Sequence, residues 1–206
     1  MNKNVLRKYF IMGSQDCPKD RTPEATLREA IQGGITIYQF REKGRGSLQG
    51  EEKIALGKAL RAICKEANIP FIINNDVELM DVLQADGIHV GQSDEPVKKI
   101  REKYPHKWIG LSISNMEQYE KSSLAYIDYI GAGPVFSTTS KSDALQPVGI
   151  EWIQTLRKLT PHIPIVGIGG ISPDNALHVL HAGADGVSVI SAITKAENIQ
   201  KAVRSL

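Results

Sequence analysis

Short apolar segments rich in β-branched residues recur along the whole 206-residue chain, and longer stretches of mixed polar and apolar positions separate them. Segments such as 165–168 are apolar at successive positions, which is typical of parallel strands buried on both faces. Eight such segments predict strands, at 9–13, 35–41, 71–75, 87–91, 108–113, 129–134, 165–170 and 186–191.

The stretches between the predicted strands have the spacing of amphipathic helices. Leu27 and Ile31 follow a helix-start signal at Thr22-Pro23-Glu24, and a second such stretch spans 54–63. Strands that alternate with helices predict a parallel sheet, and eight such units in so short a chain favour a closed barrel over an open sheet. We therefore predict an α/β fold, a single (β/α)8 TIM barrel whose one domain spans residues 1–206.

Charge and cysteine usage restrict the class of partner. The 25 Lys and Arg residues nearly balance the 23 Asp and Glu residues, which argues against a surface for nucleic acid or an anionic membrane. Cys17 and Cys64 form no CxxC pair, so neither a zinc site nor a disulfide framework is indicated. The first residues lack the apolar core of a signal peptide or a membrane span. We expect a cytoplasmic protein that binds no nucleic acid and no membrane.

The end of the second predicted strand is unusually polar, and barrel enzymes carry their chemistry at such strand ends. The residues there are Gln39, Phe40, Arg41, Glu42 and Lys43. Alternation along a strand sends Gln39 and Arg41 to one face and Phe40 to the other, and Lys43 can reach over the barrel mouth. The cluster indicates anion binding, with a solvated strand end and an ordinary Arg–Glu pair as the alternative.

Oxygen-bearing side chains follow the third and fourth strands. Asn74, Asn75 and Asp76 end strand three, and Asp94 follows strand four. Magnesium takes one or two carboxylates together with phosphate oxygens from a substrate, so Asp94 and a strand-three oxygen could hold one. The alternative is that these residues only form the turns after the strands.

A hydroxyl-rich loop follows the sixth strand. It contains Ser137, Thr138, Thr139 and Ser140, and then Lys141. The small residues on this strand allow a ligand to approach the backbone, and a mobile lysine suits a diphosphate. A polar surface loop is the alternative.

Glycine-rich ends on the seventh and eighth strands form the strongest motif. Glycines expose backbone N–H groups, and a helix that begins after strand eight adds unpaired donors, so these ends predict a phosphate site. The alternative is that the glycines only ease tight turns. None of the five histidines is placed like a general base: His89 lies within a strand, and the others lie on or beside helices.

In its strand-end motifs the chain resembles the thiamine phosphate synthase family, over essentially its full length. The matching segments are Tyr9-Phe10-Ile11-Met12, Tyr38-Gln39-Phe40-Arg41-Glu42-Lys43, Ile73-Asn74, Asp86-Gly87-Ile88-His89-Val90-Gly91-Gln92, Gly131-Ala132-Gly133-Pro134-Val135-Phe136, Val166-Gly167-Ile168-Gly169-Gly170-Ile171 and Gly183-Ala184-Asp185-Gly186-Val187-Ser188.

The resemblance implies an enzyme that joins a hydroxymethylpyrimidine diphosphate to a hydroxyethylthiazole phosphate, with Mg²⁺ as cofactor, to give thiamine monophosphate and pyrophosphate. It implies that the pyrimidine diphosphate contacts Gln39, Arg41, Lys43, Asn74, Ser112 and Lys141, of which Arg41, Lys43, Ser112 and Lys141 are catalytic. It also implies that Phe40 and Glu42 belong to the substrate-binding residues. It implies that the thiazole phosphate contacts Thr138, Thr139, Ser140, Gly170, Ile190 and Ser191. The implied metal ligands are Asn75 and Asp94.

One position departs from the family pattern. The family has Asn followed by Asp at the end of strand three, and this chain has Asn74 followed by Asn75. A carboxylate is thereby lost from the metal site, and strand alternation turns Asp76 away from it, so weaker magnesium binding is expected. Ser137 in place of proline and Ser140 in place of threonine keep the hydroxyl groups of the loop.

The implied mechanism is dissociative: the bond to diphosphate breaks first, and the thiazole nitrogen then attacks a pyrimidinylmethyl cation. A thiazole tautomerase relative is one alternative, against which Gln39, Lys43 and Lys141 argue. A non-catalytic phosphate-binding barrel is a second, suggested by Asn75. A sugar-phosphate epimerase or a tryptophan-pathway isomerase is a third, although the chain lacks the paired acid and base that such enzymes need. A homo-oligomer stays open as an alternative to a monomer.

Overall fold

Eight parallel strands close into a barrel in the structure, a computed structural model that describes residues 2–138, 140 and 146–206. Each strand pairs with its neighbour in sequence, and the last pairs with the first. The strands are β1 (Lys8–Met12), β2 (Ile37–Phe40), β3 (Phe71–Asn74), β4 (Gly87–Val90), β5 (Trp108–Ile113), β6 (Tyr129–Ala132), β7 (Ile165–Ile168) and β8 (Gly186–Val189).

Helices connect successive strands and cover the barrel. They are α1 (Pro23–Gly33), α2 (Gly50–Glu66), α3 (Leu79–Val82), α4 (Val97–Lys103), α5 (Met116–Lys121), α6 (Gly149–Leu159), α7 (Ala176–His181), α8 (Ser191–Thr194) and α9 (Ile199–Arg204), with short 3-10 helices at Lys3–Leu6, Ser14–Asp16 and Leu124–Tyr126. The predicted (β/α)8 barrel is therefore confirmed. Among the described helices, none is long and apolar enough to cross a membrane.

The predicted strands all overlap observed ones, and their ends differ by at most two residues. The differences fall mainly where glycine or a polar residue leaves the sheet. Asn75, for example, has a φ of 63° and Gly169 a φ of 97°, neither of which a strand permits. The predicted start of α1 is also observed: the Thr22 hydroxyl accepts a hydrogen bond from the backbone N–H of Ala25, at 3.2 Å.

Alternation along the strands separates two buried layers. On β2, Tyr38 and Phe40 point outward into the layer between strands and helices, where both rings contact Phe71. Ile37 belongs to the smaller cluster inside the barrel, and Gln39 hydrogen-bonds to Tyr9 there. This confirms the prediction that Gln39 and Phe40 face opposite sides.

Three ion pairs of one design tie the N-terminal ends of neighbouring strands together. In each, an aspartate just before an even-numbered strand accepts a hydrogen bond from a backbone N–H at the start of the preceding strand, and an arginine from the helix before that preceding strand pairs with it. The three pairs are Arg61–Asp86, Arg101–Asp128 and Arg157–Asp185, with N–H donors from Phe71, Ile109 and Ile165. These contacts lie at the end of the barrel opposite the predicted site, which is the end associated with stability.

Candidate active site

A cavity of about 640 Å³ opens at the C-terminal ends of the strands, where barrel enzymes place their chemistry. Most of the residues that the sequence and the resemblance assign to a site line this cavity. They are Arg41, Lys43, Asn74, Asn75, Asp94, Ser112, Thr138, Ser140, Gly170, Ile190 and Ser191. Thr139 and Lys141 lie outside the described residues. Side chains that are far apart in the sequence thus share one space.

Three residues of the β2 motif are placed elsewhere. Phe40 is buried in the outer layer and stacks on Phe71, with ring centroids 6.1 Å apart, so its ring does not reach the cavity. Gln39 lies beneath the cavity floor, and its amide nitrogen donates to the Tyr9 hydroxyl at 2.8 Å.

Glu42, the third, joins two loops beside the mouth. Its carboxylate accepts hydrogen bonds from the backbone N–H and the hydroxyl of Ser14, after β1, and from the backbone N–H of Leu48, after β2. The side chain is buried and is directed away from the cavity. Glu42 therefore fixes the segment that carries Arg41 and Lys43.

Arg41 presents a buried cation to the cavity. The residue is only 6% exposed, and its guanidinium donates to the backbone carbonyl of Lys43 at 3.4 Å. In the part of the chain that the structure describes, no carboxylate forms an ion pair with it. A desolvated guanidinium without a carboxylate is costly, so this arrangement is suited to an anionic ligand.

Asp16 is one acidic group that interacts electrostatically with that cation. Burial raises the pKa of Asp16, while a hydrogen bond from the Gly13 N–H and the charge of Arg41 oppose the rise. Asp16 thus lies close enough to act on Arg41 electrostatically, but it does not neutralise it by direct contact.

Asn75 and Asp94 meet at the other side of the mouth. The Asn75 amide donates to one carboxylate oxygen of Asp94 at 2.8 Å, and the backbone N–H of Gly91 donates to the other at 2.6 Å. Asp76 turns away, as predicted, and pairs with Lys53 at 2.7 Å. Among the described residues no group of three or more His, Cys, Asp or Glu side chains could hold a metal ion.

The pair of Asn75 and Asp94 nevertheless fits magnesium in one respect. A single carboxylate with an adjacent amide is a sufficient protein contribution when a substrate diphosphate supplies further oxygens. Both side chains also face the cavity that contains Arg41 and Lys43.

The turns after β7 and β8 form the opposite wall, mostly with backbone, and Lys195 at the end of α8 is a charged residue that also lines the cavity. Gly170 has a φ of 64°, and a Cβ there would lie 2.5 Å from the carbonyl oxygen of Ser137. Glycine is therefore required both by the conformation and by the close approach of the loop after β6. Ser140 in that loop contacts Ser191 through their hydroxyls, at 3.3 Å.

A chain of hydrogen bonds crosses the barrel beneath the cavity. It runs from Gln39 to Tyr9, from Tyr9 to Tyr129, from Tyr129 to His89 and from His89 to Ser112, with distances of 2.8, 2.9, 3.2 and 2.9 Å. Burial raises the pKa of both tyrosines well above the ordinary value, so both are neutral phenols.

Sequence reasoning missed this chain. It showed only that His89 lies within a strand, and the structure places the ring in the cavity lining against Ser112. The available signal was the pair of glycines on the next two strands: a Cβ at Gly110 would collide with both Tyr129 and His89, and a Cβ at Gly131 would lie 2.8 Å from the His89 ring. The other four histidines are exposed, as expected.

Neither cysteine is prepared for nucleophilic chemistry. Burial raises the pKa of Cys64 to about 12, and it also raises the pKa of Cys17. Both thiols are therefore protonated near neutral pH, and no nucleophile is indicated at either position.

The chain is similar to known proteins over almost its full length. The thiamine monophosphate synthase family matches residues 8–193. The chain is 54% identical over 205 residues to the thiamine-phosphate synthase of Oceanobacillus iheyensis, covering 100% of this chain and 98% of that protein. It is 54% identical over 198 residues to the thiamine-phosphate synthase of Staphylococcus carnosus, covering 96% and 93%.

The chain is also similar, in both fold and sequence, to a protein of solved structure. The thiamine phosphate pyrophosphorylase of Pyrococcus furiosus superposes with a TM-score of 0.85 at 33% identity, covering 99% of this chain and 95% of that one. On the family match, the two relatives and the shared barrel, this chain belongs to the thiamine monophosphate synthase family.

Proposed function

We propose that this chain, a transferase of thiamine biosynthesis, condenses 4-amino-2-methyl-5-(diphosphooxymethyl)pyrimidine with 4-methyl-5-(2-phosphooxyethyl)thiazole. The products are thiamine monophosphate and pyrophosphate. The observation that carries the proposal is that one cavity joins two different anion-binding walls, a cationic wall at Arg41 and Lys43 and a backbone wall at Gly170 and Ser191. Its volume of about 640 Å³ is ample for two small substrates.

The pyrimidine diphosphate belongs at the cationic wall. Arg41 supplies a guanidinium fork for phosphate oxygens, and Lys43 and Lys141 supply point charges. Asn74 and Ser112 line the adjacent floor and can hydrogen-bond to the same substrate.

The thiazole phosphate belongs at the backbone wall. N–H groups of the turns that contain Gly170, Ile190 and Ser191 can bind a phosphate without a basic side chain. The hydroxyls of Thr138, Thr139 and Ser140 can then contact the thiazole ring and close the space between the two substrates.

The reaction needs positioning and charge neutralisation rather than a general base. The bond between the pyrimidine methylene carbon and the diphosphate oxygen breaks, and its electron pair leaves with pyrophosphate. The ring amino group stabilises the resulting cation, and the thiazole nitrogen lone pair forms the new bond to carbon. No proton is transferred, which agrees with a site that presents cations and hydrogen-bond donors.

Magnesium is the proposed cofactor, held by Asp94 and by the Asn75 side chain once its amide turns its oxygen to the ion. When bound, the ion neutralises charge on the diphosphate. The backbone N–H of Gly91 holds the Asp94 carboxylate in place.

Product analysis tests the proposal. The purified chain is incubated with both substrates and Mg²⁺, and thiamine monophosphate and pyrophosphate are measured by chromatography. Equal amounts of the two products are expected, with neither formed when the thiazole phosphate is omitted. Pyrophosphate release without the thiazole substrate would indicate a hydrolase, and binding of both substrates without product would indicate a non-catalytic binder; either result would contradict the proposal.

A further inference from the structure

We infer that Tyr9, Tyr129 and His89 are positioning residues that hold the Ser112 hydroxyl as a hydrogen-bond donor toward the pyrimidine diphosphate. The inference rests on the proposed function, because it assigns a polarity to one contact of that substrate. It depends on the buried chain that joins Gln39 to Ser112, described above.

This chain of hydrogen bonds connects a residue beneath the cavity floor with a residue that lines the cavity. Gln39 lies on β2 and Ser112 lies on β5, on different sides of the barrel. Tyr9 and Tyr129 are 1% and 0% exposed, so their hydroxyls are shielded from bulk solvent. Each phenol therefore satisfies its hydrogen-bonding capacity within the chain.

Counting protons gives the chain a direction. The Gln39 amide nitrogen faces Tyr9, and an amide nitrogen can only donate, so Tyr9 accepts this bond. Tyr9 then donates its single proton to Tyr129, which donates its own to Nδ1 of His89.

The direction fixes the state of the last two groups. With Nδ1 accepting, a neutral His89 carries its proton on Nε2 and donates it to the oxygen of Ser112. The Ser112 proton is then left to point into the cavity, where it meets an acceptor such as a diphosphate oxygen or a ring nitrogen. A substrate group that can only donate is disfavoured at this point.

If the hydrogen bonds ran in the opposite direction, Ser112 would accept from the substrate instead of donating to it. If Gln39 turned its carbonyl oxygen to Tyr9, every bond would reverse, His89 would carry its proton on Nδ1, and Ser112 would spend its proton on His89. Ser112 would then present only lone pairs to the substrate. The two directions therefore differ in one measurable quantity, the tautomer of His89.

The backbone is shaped to admit this chain. Gly110 on β5 leaves the space that the rings of Tyr129 and His89 occupy, and Gly131 on β6 leaves space for the far side of the His89 ring. Larger residues at these two positions would push His89 away from Ser112. The sequence thus provides both the polar groups and the room for them.

Nitrogen NMR of the histidines tests the direction in the free protein. In protein labelled with ¹⁵N-histidine, the His89 ring signals are assigned by their loss in His89→Gln. The expected result is the Nε2–H tautomer in the wild type, perturbed in Tyr129→Phe and unchanged in Tyr38→Phe. An Nδ1–H tautomer would overturn the inference, and because the measurement needs no substrate, it stands apart from any failure of the proposed function.

Kinetics with a matched control test the consequence for the substrate. Tyr38 is also a fully buried tyrosine whose hydroxyl donates a hydrogen bond, to the carbonyl of Met12 at 2.8 Å, but it lies in the outer layer. Tyr129→Phe should lower kcat/KM for the pyrimidine diphosphate roughly tenfold, the effect of one buried hydrogen bond. The kcat/KM of Tyr38→Phe should stay within about twofold of the wild type, because the Tyr38 hydroxyl is not hydrogen-bonded to any residue of the hydrogen-bond chain.

Substitutions at His89 sharpen the same test. The amide of Gln can reach the position of Nε2, so His89→Gln should keep more of the affinity for the pyrimidine diphosphate than His89→Ala. Equal kcat/KM in Tyr129→Phe and Tyr38→Phe, or equal affinity in His89→Gln and His89→Ala, would show a merely structural role and overturn the inference.

Discussion

Arginines at the two ends of the barrel have different partners. At the N-terminal end, Arg101 and Arg157 each pair with an aspartate, at 2.6 and 2.5 Å. At the mouth, Arg41 is more deeply buried than either, and among the described residues it has no carboxylate within ion-pair distance. The paired arginines hold strands together, and the arginine without a carboxylate is the one that we propose to bind the anionic substrate.

The same contrast extends to the carboxylates. Asp128 and Asp185 each accept bonds from an arginine and from a strand N–H, so their oxygens are used within the fold. Asp94 at the mouth accepts hydrogen bonds from the Asn75 amide and the Gly91 N–H, with no arginine paired to it among the residues that the structure describes, and it faces the cavity. Burial alone does not distinguish a structural charge from a functional one, whereas the identity of its partners does.

The largest effect is expected at Arg41. Arg41→Ala should reduce turnover on the order of 100-fold, because it removes a preorganised charge from the leaving diphosphate. Arg41→Lys should be intermediate, since an ammonium keeps the charge but loses the bidentate geometry. Initial rates at saturating substrate measure both. Near-normal turnover in Arg41→Ala would remove this residue from the site.

A smaller effect, on stability rather than rate, is expected at the opposite end. Asp128→Asn should lower the free energy of unfolding by about 1.5–3 kcal/mol, because two hydrogen bonds to a charged, partly exposed carboxylate are weakened. Urea denaturation gives the value, and turnover per folded molecule serves as the control. A large loss of turnover at unchanged stability would reverse the roles assigned to the two ends.

Glu42 lies at the mouth, but its carboxylate oxygens accept hydrogen bonds from Ser14 and Leu48, as the aspartates at the opposite end accept from their own neighbours. Glu42→Gln should raise KM for the pyrimidine diphosphate roughly fivefold, since the loops at Ser14 and Leu48 lose charge-assisted hydrogen bonds that position Arg41. The matched variant Glu52→Gln, on the exposed face of α2, should leave KM unchanged. If the two variants behave alike, Glu42 does not position the mouth.

The smallest effect is expected at Asn75. Asn75→Asp should lower the Mg²⁺ concentration for half-maximal rate about threefold, because a second carboxylate joins Asp94. Asn and Asp both tolerate the left-handed conformation at this position, so the backbone should not change. A magnesium titration of the initial rate compares the two forms, and identical half-saturation would mean that position 75 does not face the ion.

Much of the fold and part of the site could be predicted from the sequence, for an identifiable reason. Apolar runs mark parallel strands, and in a barrel all strand ends meet at one mouth, so the order of residues alone was enough to expect Arg41, Asn75 and Asp94 in a shared space. Alternation along β2 likewise predicted that Phe40 would face away from Gln39.

Contacts across the barrel could not be predicted in this way. Tyr9 and Tyr129 are 120 residues apart, and their contact depends on how the closed barrel brings inward-facing residues to the same level. The pairing of Arg101 with Asp128 similarly depends on the path of a helix and not on a local motif. The position of Glu42 was missed because a contiguous motif does not show which of its members the loops use.

The different roles of the two barrel ends can be tested with one pair of variants, Arg41→Ala and Arg101→Ala, by measuring kcat/KM and the free energy of unfolding on the same preparations. We expect Arg41→Ala to lose roughly 100-fold in kcat/KM with stability within about 1 kcal/mol of the wild type. We expect the reverse for Arg101→Ala, which should lose stability and keep its catalytic efficiency. Comparable losses of efficiency in both variants, or a loss of stability confined to Arg41→Ala, would contradict the division between the two ends.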